Sequence, residues 1–270
     1  MLLGVVLAVG ILIPVAHKWE LNLKVVSVSA LVIGLFAGLT VNGVTPHFDM
    51  GPMLKVLTCS LLIVVTAGIA LVVRFYRDPD RVPPDAENII VAPADGVVKY
   101  VKHIEKGNVP FSSKGKEDVR LSEPLLNILP DGQGYLIGIG MTFLDVHVTR
   151  AAIGGKVTYL EHIPGSFCSL KTEDAPYRNE RVIEIIESDR FKIGLIQIAS
   201  RLVRRIVAYV RQGDELGLGQ KIGMIKFGSQ VDIVLPNLQA LEIKVDVGEQ
   251  VYAGISIIAH FGTKKLSQKA

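Results

Sequence analysis

Three apolar runs without a charged residue open the chain. They mark its first quarter as membrane helices. They are MLLGVVLAVGILIPVA (1–16), VVSVSALVIGLFAGLTV (25–41) and VLTCSLLIVVTAGIALVV (56–73). Crossing a hydrocarbon core takes about 17–25 residues at 1.5 Å each. The second and third runs are long enough. The first reads as a short span or a re-entrant segment, since it lacks the basic leader and the small-x-small site of a signal peptide. Lys18 and Lys24 flank the first loop, the loop at 42–54 has no Lys or Arg, and Arg74, Arg77 and Arg81 follow the third run. By the positive-inside rule, 17–24 and everything after 74 face the cytoplasm. The expected organisation is an inner-membrane anchor of two or three transmembrane helices over 1–74, followed by a cytoplasmic domain over 75–270.

The mean hydropathy of +0.41 is high, and the excess lies in those first 74 residues. The remainder is long enough for one core. A net charge of +3 with scattered basic residues excludes nucleic acid as an expected partner. Cys59 and Cys168 form neither a CxxC pair nor a metal-ligand spacing. Cys168 reads as a small packed residue before it reads as a nucleophile.

After Arg74 the pattern is mainly β with a few helices. Short apolar runs such as NIIVAPADGVVKYV, YLIGIGM, VHVTRAAIGGKVTYL and FKIGLIQIA alternate with Gly, Pro and Asp. The apolar spacing in SRLVRRIVAYVRQ predicts a helix over 200–212, and KGNVPFSSKGKEDVR (106–120) reads as a loop. GDELGLGQKIGMI (213–225) and GEQVYAGISIIAH (248–260) echo each other, and APADGVV (92–98) looks like a related corner. This resembles the half-repeats of barrel-sandwich folds. No lysine stands at a hairpin tip, which weighs against a lipoyl or biotinyl carrier. In KIGMIKFGSQVDIVLP (221–236) two strands flank a Gly228-Ser229 break. Alone, that pair reads as a bulge.

FYRDPDRVPP (75–84), VAPADGVV (91–98), FLDVHVTRAAIGGKV (143–157), PGSF (164–167), RNERV (178–182), QIASRLVRRIV (197–207) and GMIKFGSQVDIVLP (223–236) occur in the order found in phosphatidylserine decarboxylases. The chain resembles the shorter bacterial and archaeal-type members over about 74–262. The resemblance implies a proenzyme that cuts itself between Gly228 and Ser229 into a β chain (1–228) and an α chain (229–270). Ser229 would become a pyruvoyl group that forms a Schiff base with the substrate amine and serves as the electron sink for loss of CO₂. No metal or diffusible cofactor is implied. Serine needs a base and an orienting group, and the resemblance assigns His147 and Asp95 to these roles. Alone, His147 reads as a strand histidine and Asp95 as a turn residue. Asp145 is an alternative orienting carboxylate, and His103 and His162 are weaker candidates.

Some members carry two histidines three apart after a tyrosine. Here those positions hold Val146, His147 and Arg150, so either one histidine serves both processing and decarboxylation or another group supplies one role. Arg150 and Arg178 are candidates for contact with the substrate. The implied reaction takes phosphatidylserine to phosphatidylethanolamine, with membrane lipid as partner and an α/β heterodimer as the product of processing; a higher oligomer is left open. The competing readings are a non-enzymatic, membrane-anchored barrel-sandwich adaptor of an export system, and a pyruvoyl decarboxylase of another amine.

Overall fold

The computed structural model describes residues 1–19, 21–44, 48, 50–109, 119–166, 168, 170, 178–200, 205–226 and 229–262. It divides into two units, Met1–Arg77 with Thr142–Leu144, and Asp78–Met141 with Asp145–Ala270.

The first unit is helical: α1 (Leu2–Lys18), α2 (Leu23–Val44) and α3 (Pro52–Phe75). By length and composition α2 and α3 can cross a membrane, and α1 is shorter. Helices in lipid gain little from hydrophobic burial against one another, so close packing must hold them. Gly4, Ala8, Ala30, Gly34, Ala37 and Gly38 are buried accordingly. A Cβ on Gly34 would lie 2.7 Å from the Val5 Cα. Within this unit the Trp19 and Phe143 rings meet at a tilt, 5.1 Å between centroids, and Arg77 donates to the Leu144 carbonyl at 3.0 Å.

The second unit is mainly β. Its strands are β1 (Ile89–Val91), β2 (Gly96–Ile104), β3 (Asn108–Val109), β4 (Val119–Arg120), β5 (Gly134–Met141), β6 (Val148–Arg150), β7 (Gly155–Ile163) and β8 (Arg181–Glu187). They continue as β9 (Lys192–Ala199), β10 (Ile206–Ala208), β11 (Glu215–Leu216), β12 (Lys221–Ile225), β13 (Ser229–Pro236), β14 (Glu242–Ile243), β15 (Gln250–Val251) and β16 (Ile257–His260). One short helix, α4 (Glu123–Leu126), is inserted after β4. The large sheet runs β11-β7-β8-β9-β13-β5-β2-β15, and two three-stranded sheets run β1-β16-β14 and β6-β12-β10.

Period-2 alternation splits the large sheet into two buried faces. Ile137, Ile139, Val182, Leu195, Val231 and Ile233 join one core; Leu136, Ile183, Ile185, Ile196, Ile198 and Val234 join the other.

These strands form two equivalent halves related by a pseudo-two-fold axis between β9 and β13. β15 pairs β2 through Gln250↔Val97, as β11 pairs β7 through Glu215↔Lys156. Both β2 and β7 bulge, between Val98/Tyr100 and Val157/Tyr159. Gly213 and Gly248 have φ of +101° and +95°, and Gly219 and Gly254 have +73° and +72°, a region glycine enters without strain. The echo between 213–225 and 248–260 is therefore a repeated backbone. Half one is β1-β2-β5 continued by β13 to β16; half two, β6 to β12, is inserted between β5 and β13.

The helix expected over 200–212 is not formed. Ile206–Ala208 is a strand paired with β12, residues 201–204 lie outside the described residues, and a short apolar run fits either period. The expected loop at 106–120 contains the small β3–β4 ladder, with 110–118 outside the described residues.

Candidate functional site

The insertion leaves half one with an opened hairpin. In half two, β8 turns directly into β9 through Ser188–Phe191, where the Ser188 amide bonds the Phe191 carbonyl at 2.9 Å. The equivalent strands in half one stop at Met141 and resume at Ser229, and these two residues are cross-strand partners. The chain leaves through 142–147 and returns through 226–228. At the end of β12 the Ile225 amide donates to the His147 carbonyl at 3.1 Å, continuing the β12–β6 pairing by one residue. Phe227 and Gly228 lie outside the described residues. At Ser229 the strand backbone is defined, opposite Met141 and Ala199.

The pseudo-two-fold locates Asp95 as well. The strand pairings equate His147 with Asn88, position 229 with Phe191, and Asp95 with Gly154. Asn88, Gly154 and Phe191 line one depression of about 270 Å³. His147, Asp95 and position 229 are the counterparts of that lining by strand register.

His147 is fully buried, with Nδ1 3.0 Å from the Asp145 carbonyl. A carbonyl only accepts, so Nδ1 carries the proton and Nε2 keeps the basic lone pair. Asp145 thus orients the imidazole by its backbone; its carboxylate meets Gln250 Nε2 at 3.5 Å. The Asp95 carboxylate is buried and gripped by both terminal nitrogens of Arg81, the Nη2 contact being 2.8 Å. It also accepts from the Ala253 amide at 2.8 Å. Such a forked, charge-assisted arrangement holds the carboxylate in place.

Arg150 is buried too, and its guanidinium is engaged locally. It donates to Gly219 O at 3.0 Å, Pro79 O at 3.0 Å and Asp78 Oδ1 at 3.3 Å, while Lys221 meets Asp78 Oδ2 at 2.6 Å. Burial first, then the nearby Arg81 charge, lowers its pKa from the usual arginine range. Arg150 and Arg81 therefore tie down the segment RDPDR (77–81). Arg178 is exposed, and its carbonyl accepts from the Ser166 amide at 2.6 Å. His162 pairs with Glu180 at 2.8 Å and His103 with Glu105 at 3.5 Å, both near the surface. Among the described residues no group of His, Cys, Asp and Glu is arranged to hold a metal.

Three groups escaped the sequence reading. Asn179 donates through Nδ2 to Cys168 O at 2.9 Å and to Ala199 O at 3.0 Å, and accepts from the Cys168 amide at 2.8 Å. It thereby fastens the PGSF loop to the residue facing position 229. Gln197 links Thr149 at 3.1 Å to Glu184 at 3.1 Å inside the first core. Glu184 Oε1 has no partner among the described residues, and burial pushes this carboxyl up to about 7. On the opposite face Tyr100, Gln230 and Asp232 form a third cluster, and burial raises Asp232 to about 6. The available signal was a polar residue inside an otherwise apolar strand, as in VIEIIE, LIQIA and QVDIVLP.

The phosphatidylserine decarboxylase family model matches residues 69–259. A Methanocaldococcus jannaschii protein carrying the provisional name archaetidylserine decarboxylase proenzyme is 44% identical over 74% of this chain and 91% of its own. A like-named Methanothermobacter thermautotrophicus protein is 40% identical over 73% of this chain and 83% of its own. The phosphatidylserine decarboxylase proenzyme of Erythrobacter litoralis is 36% identical over 72% and 75%. The chain belongs to the phosphatidylserine decarboxylase family, and the adaptor reading is not favoured.

Proposed function

As a member of that family the chain is a decarboxylase, and we propose that it makes its own pyruvoyl group by cutting between Gly228 and Ser229. The Ser229 hydroxyl attacks the Gly228 carbonyl carbon and the peptide nitrogen leaves it, so amide becomes ester. Loss of the Ser229 Cα proton expels the Gly228 carboxylate and leaves dehydroalanine. Water then replaces the nitrogen, which departs as ammonia, leaving a ketone on the new α chain. Nε2 of His147 takes the serine proton, with Asp95 and the Asp145 carbonyl holding the site. Gly228 supplies the backbone freedom the attack needs.

The residues present suit that group: a serine at a strand start, a histidine oriented by the Asp145 carbonyl, and a carboxylate held by Arg81. Once formed, the ketone supplies an electron sink for decarboxylating an amine-bearing substrate. The carrying observation is the backbone bond of His147 to Ile225, three residues ahead of Gly228, which supports a histidine serving that segment.

The substrate is a serine headgroup on a membrane lipid, phosphatidylserine yielding phosphatidylethanolamine and CO₂. The relatives' names differ in lipid and share the serine headgroup. Arg150 and Arg178 are the candidate contacts with that headgroup. Helices α2 and α3 anchor the enzyme in the cytoplasmic membrane, with the β unit on the cytoplasmic face and the two pieces kept as an α/β heterodimer.

Intact mass spectrometry of the purified chain beside Ser229→Ala tests this. Pieces 1–228 and 229–270, the latter with a blocked end, and an uncut variant are expected. An uncut wild-type chain that is folded and decarboxylates refutes the mechanism. Vesicles of phosphatidylserine and of archaetidylserine, assayed for CO₂, decide the lipid.

A further inference from the structure

Cutting before residue 229 creates a new chain end in the middle of a sheet. Chain ends fray unless tied down, yet a reacting group must be held within roughly 0.5 Å of its productive position. Gln230 is the residue that follows the cut. Its side chain is buried, and Nε2 donates to Asp232 Oδ1 at 2.7 Å and to the Tyr100 hydroxyl at 2.7 Å. Tyr100 completes the ring by donating to Asp232 Oδ2 at 2.6 Å. The tyrosine reaches this place because Gly138 has no side chain; a Cβ there would collide with the Tyr100 ring, 2.6 Å from its Cε2.

The pseudo-two-fold provides an internal control. The positions equivalent to Gln230, Asp232 and Tyr100 in half two are Lys192, Gly194 and Tyr159. There the tyrosine turns to Glu161 at 2.5 Å, and the glycine packs against Leu125 and Ile128. The fold itself therefore does not require a buried polar ring at this place. It occurs only in the half whose hairpin is open beside the scissile pair.

We propose that Tyr100, Gln230 and Asp232 are positioning residues that anchor the new α-chain end, fixing the base of the pyruvoyl group. This rests on the cleavage reading above. Before the cut, residue 229 is held covalently from both sides; afterwards its one covalent tie is to Gln230, beside its strand pairing with Met141 and Ala199. The cluster therefore matters more to the mature enzyme than to processing.

The test uses the full chain in phosphatidylserine vesicles, comparing wild type, Tyr100→Phe and Gln230→Ala. Cleavage is read by intact mass, ketone content by phenylhydrazine labelling of the small piece, and turnover as kcat and KM separately. Both variants should cleave fully and label to one ketone per α chain. Their kcat should fall by about tenfold, the equivalent of roughly 1.4 kcal/mol, with KM within about twofold. Unchanged kcat in both variants overturns the anchor, and so does failure of both to cleave while wild type does. An uncut wild-type chain instead removes the cleavage reading, and the anchor with it.

Discussion

Replacing Glu184 by Gln should make the β unit more stable at neutral and alkaline pH. The carboxyl lies in the first core with one oxygen unpartnered and titrates near 7, against an ordinary 4.5. An acid whose folded pKa is raised binds its proton more tightly when folded. Stability is then fullest below 4.5, falls between 4.5 and 7 as the unfolded chain ionises first, and stays low above 7. At about 1.4 kcal/mol per pH unit, that interval is worth about 3 kcal/mol. Gln keeps an acceptor facing Gln197 and removes the ionisation. In thermal unfolding of the intact chain in detergent, the variant should gain stability relative to wild type as pH rises from 4.5 to 7. At about 2–4 °C per kcal/mol the relative gain is roughly 6–12 °C. Parallel curves for the two proteins over that range would refute the buried-acid reasoning.

Two further substitutions test other parts of the structure. Arg81→Ala strands the buried Asp95 carboxylate without its cation and should cost about 3–5 kcal/mol by denaturant unfolding, whereas removing both partners should cost less. Gly34→Leu forces a side chain against the α1 backbone 2.7 Å away; it should destabilise the helical unit by about 1–3 kcal/mol, seen as faster proteolysis within 1–44.

The strands on either side of the Gly-Ser break were legible because Ile222, Met224, Val231 and Ile233 form apolar runs bounded by a glycine. Spacing in 200–212 misled because Ile206 and Val210 satisfy a helical period while cross-strand pairing with β12 decides the local structure. The echo between 213–225 and 248–260 showed half of the duplication. The matching corners at 92–98 and 151–157 share too few residues to be seen without their registers. His147 and Asp95 were reachable only through resemblance. Arg81 and Asn179 act on partners distant in sequence, Ala253 and Ala199 among them, and only the folded backbone reveals those pairs.

β13 lies between β9 and β5, with ladders on both edges. Further along the same segment, β15 closes onto β2 and β16 onto β1. A chain severed at 228–229 therefore leaves its short piece threaded through the long one as a central staple. Under that cut the two pieces would have been laid down by a single continuous chain, whose connectivity keeps the loop-closure entropy of that pairing small. Once unfolded, they would have to find one another as separate molecules. Under the proposed cut, the lifetime of the mature enzyme would then depend on its rate of unfolding, each molecule being assembled once.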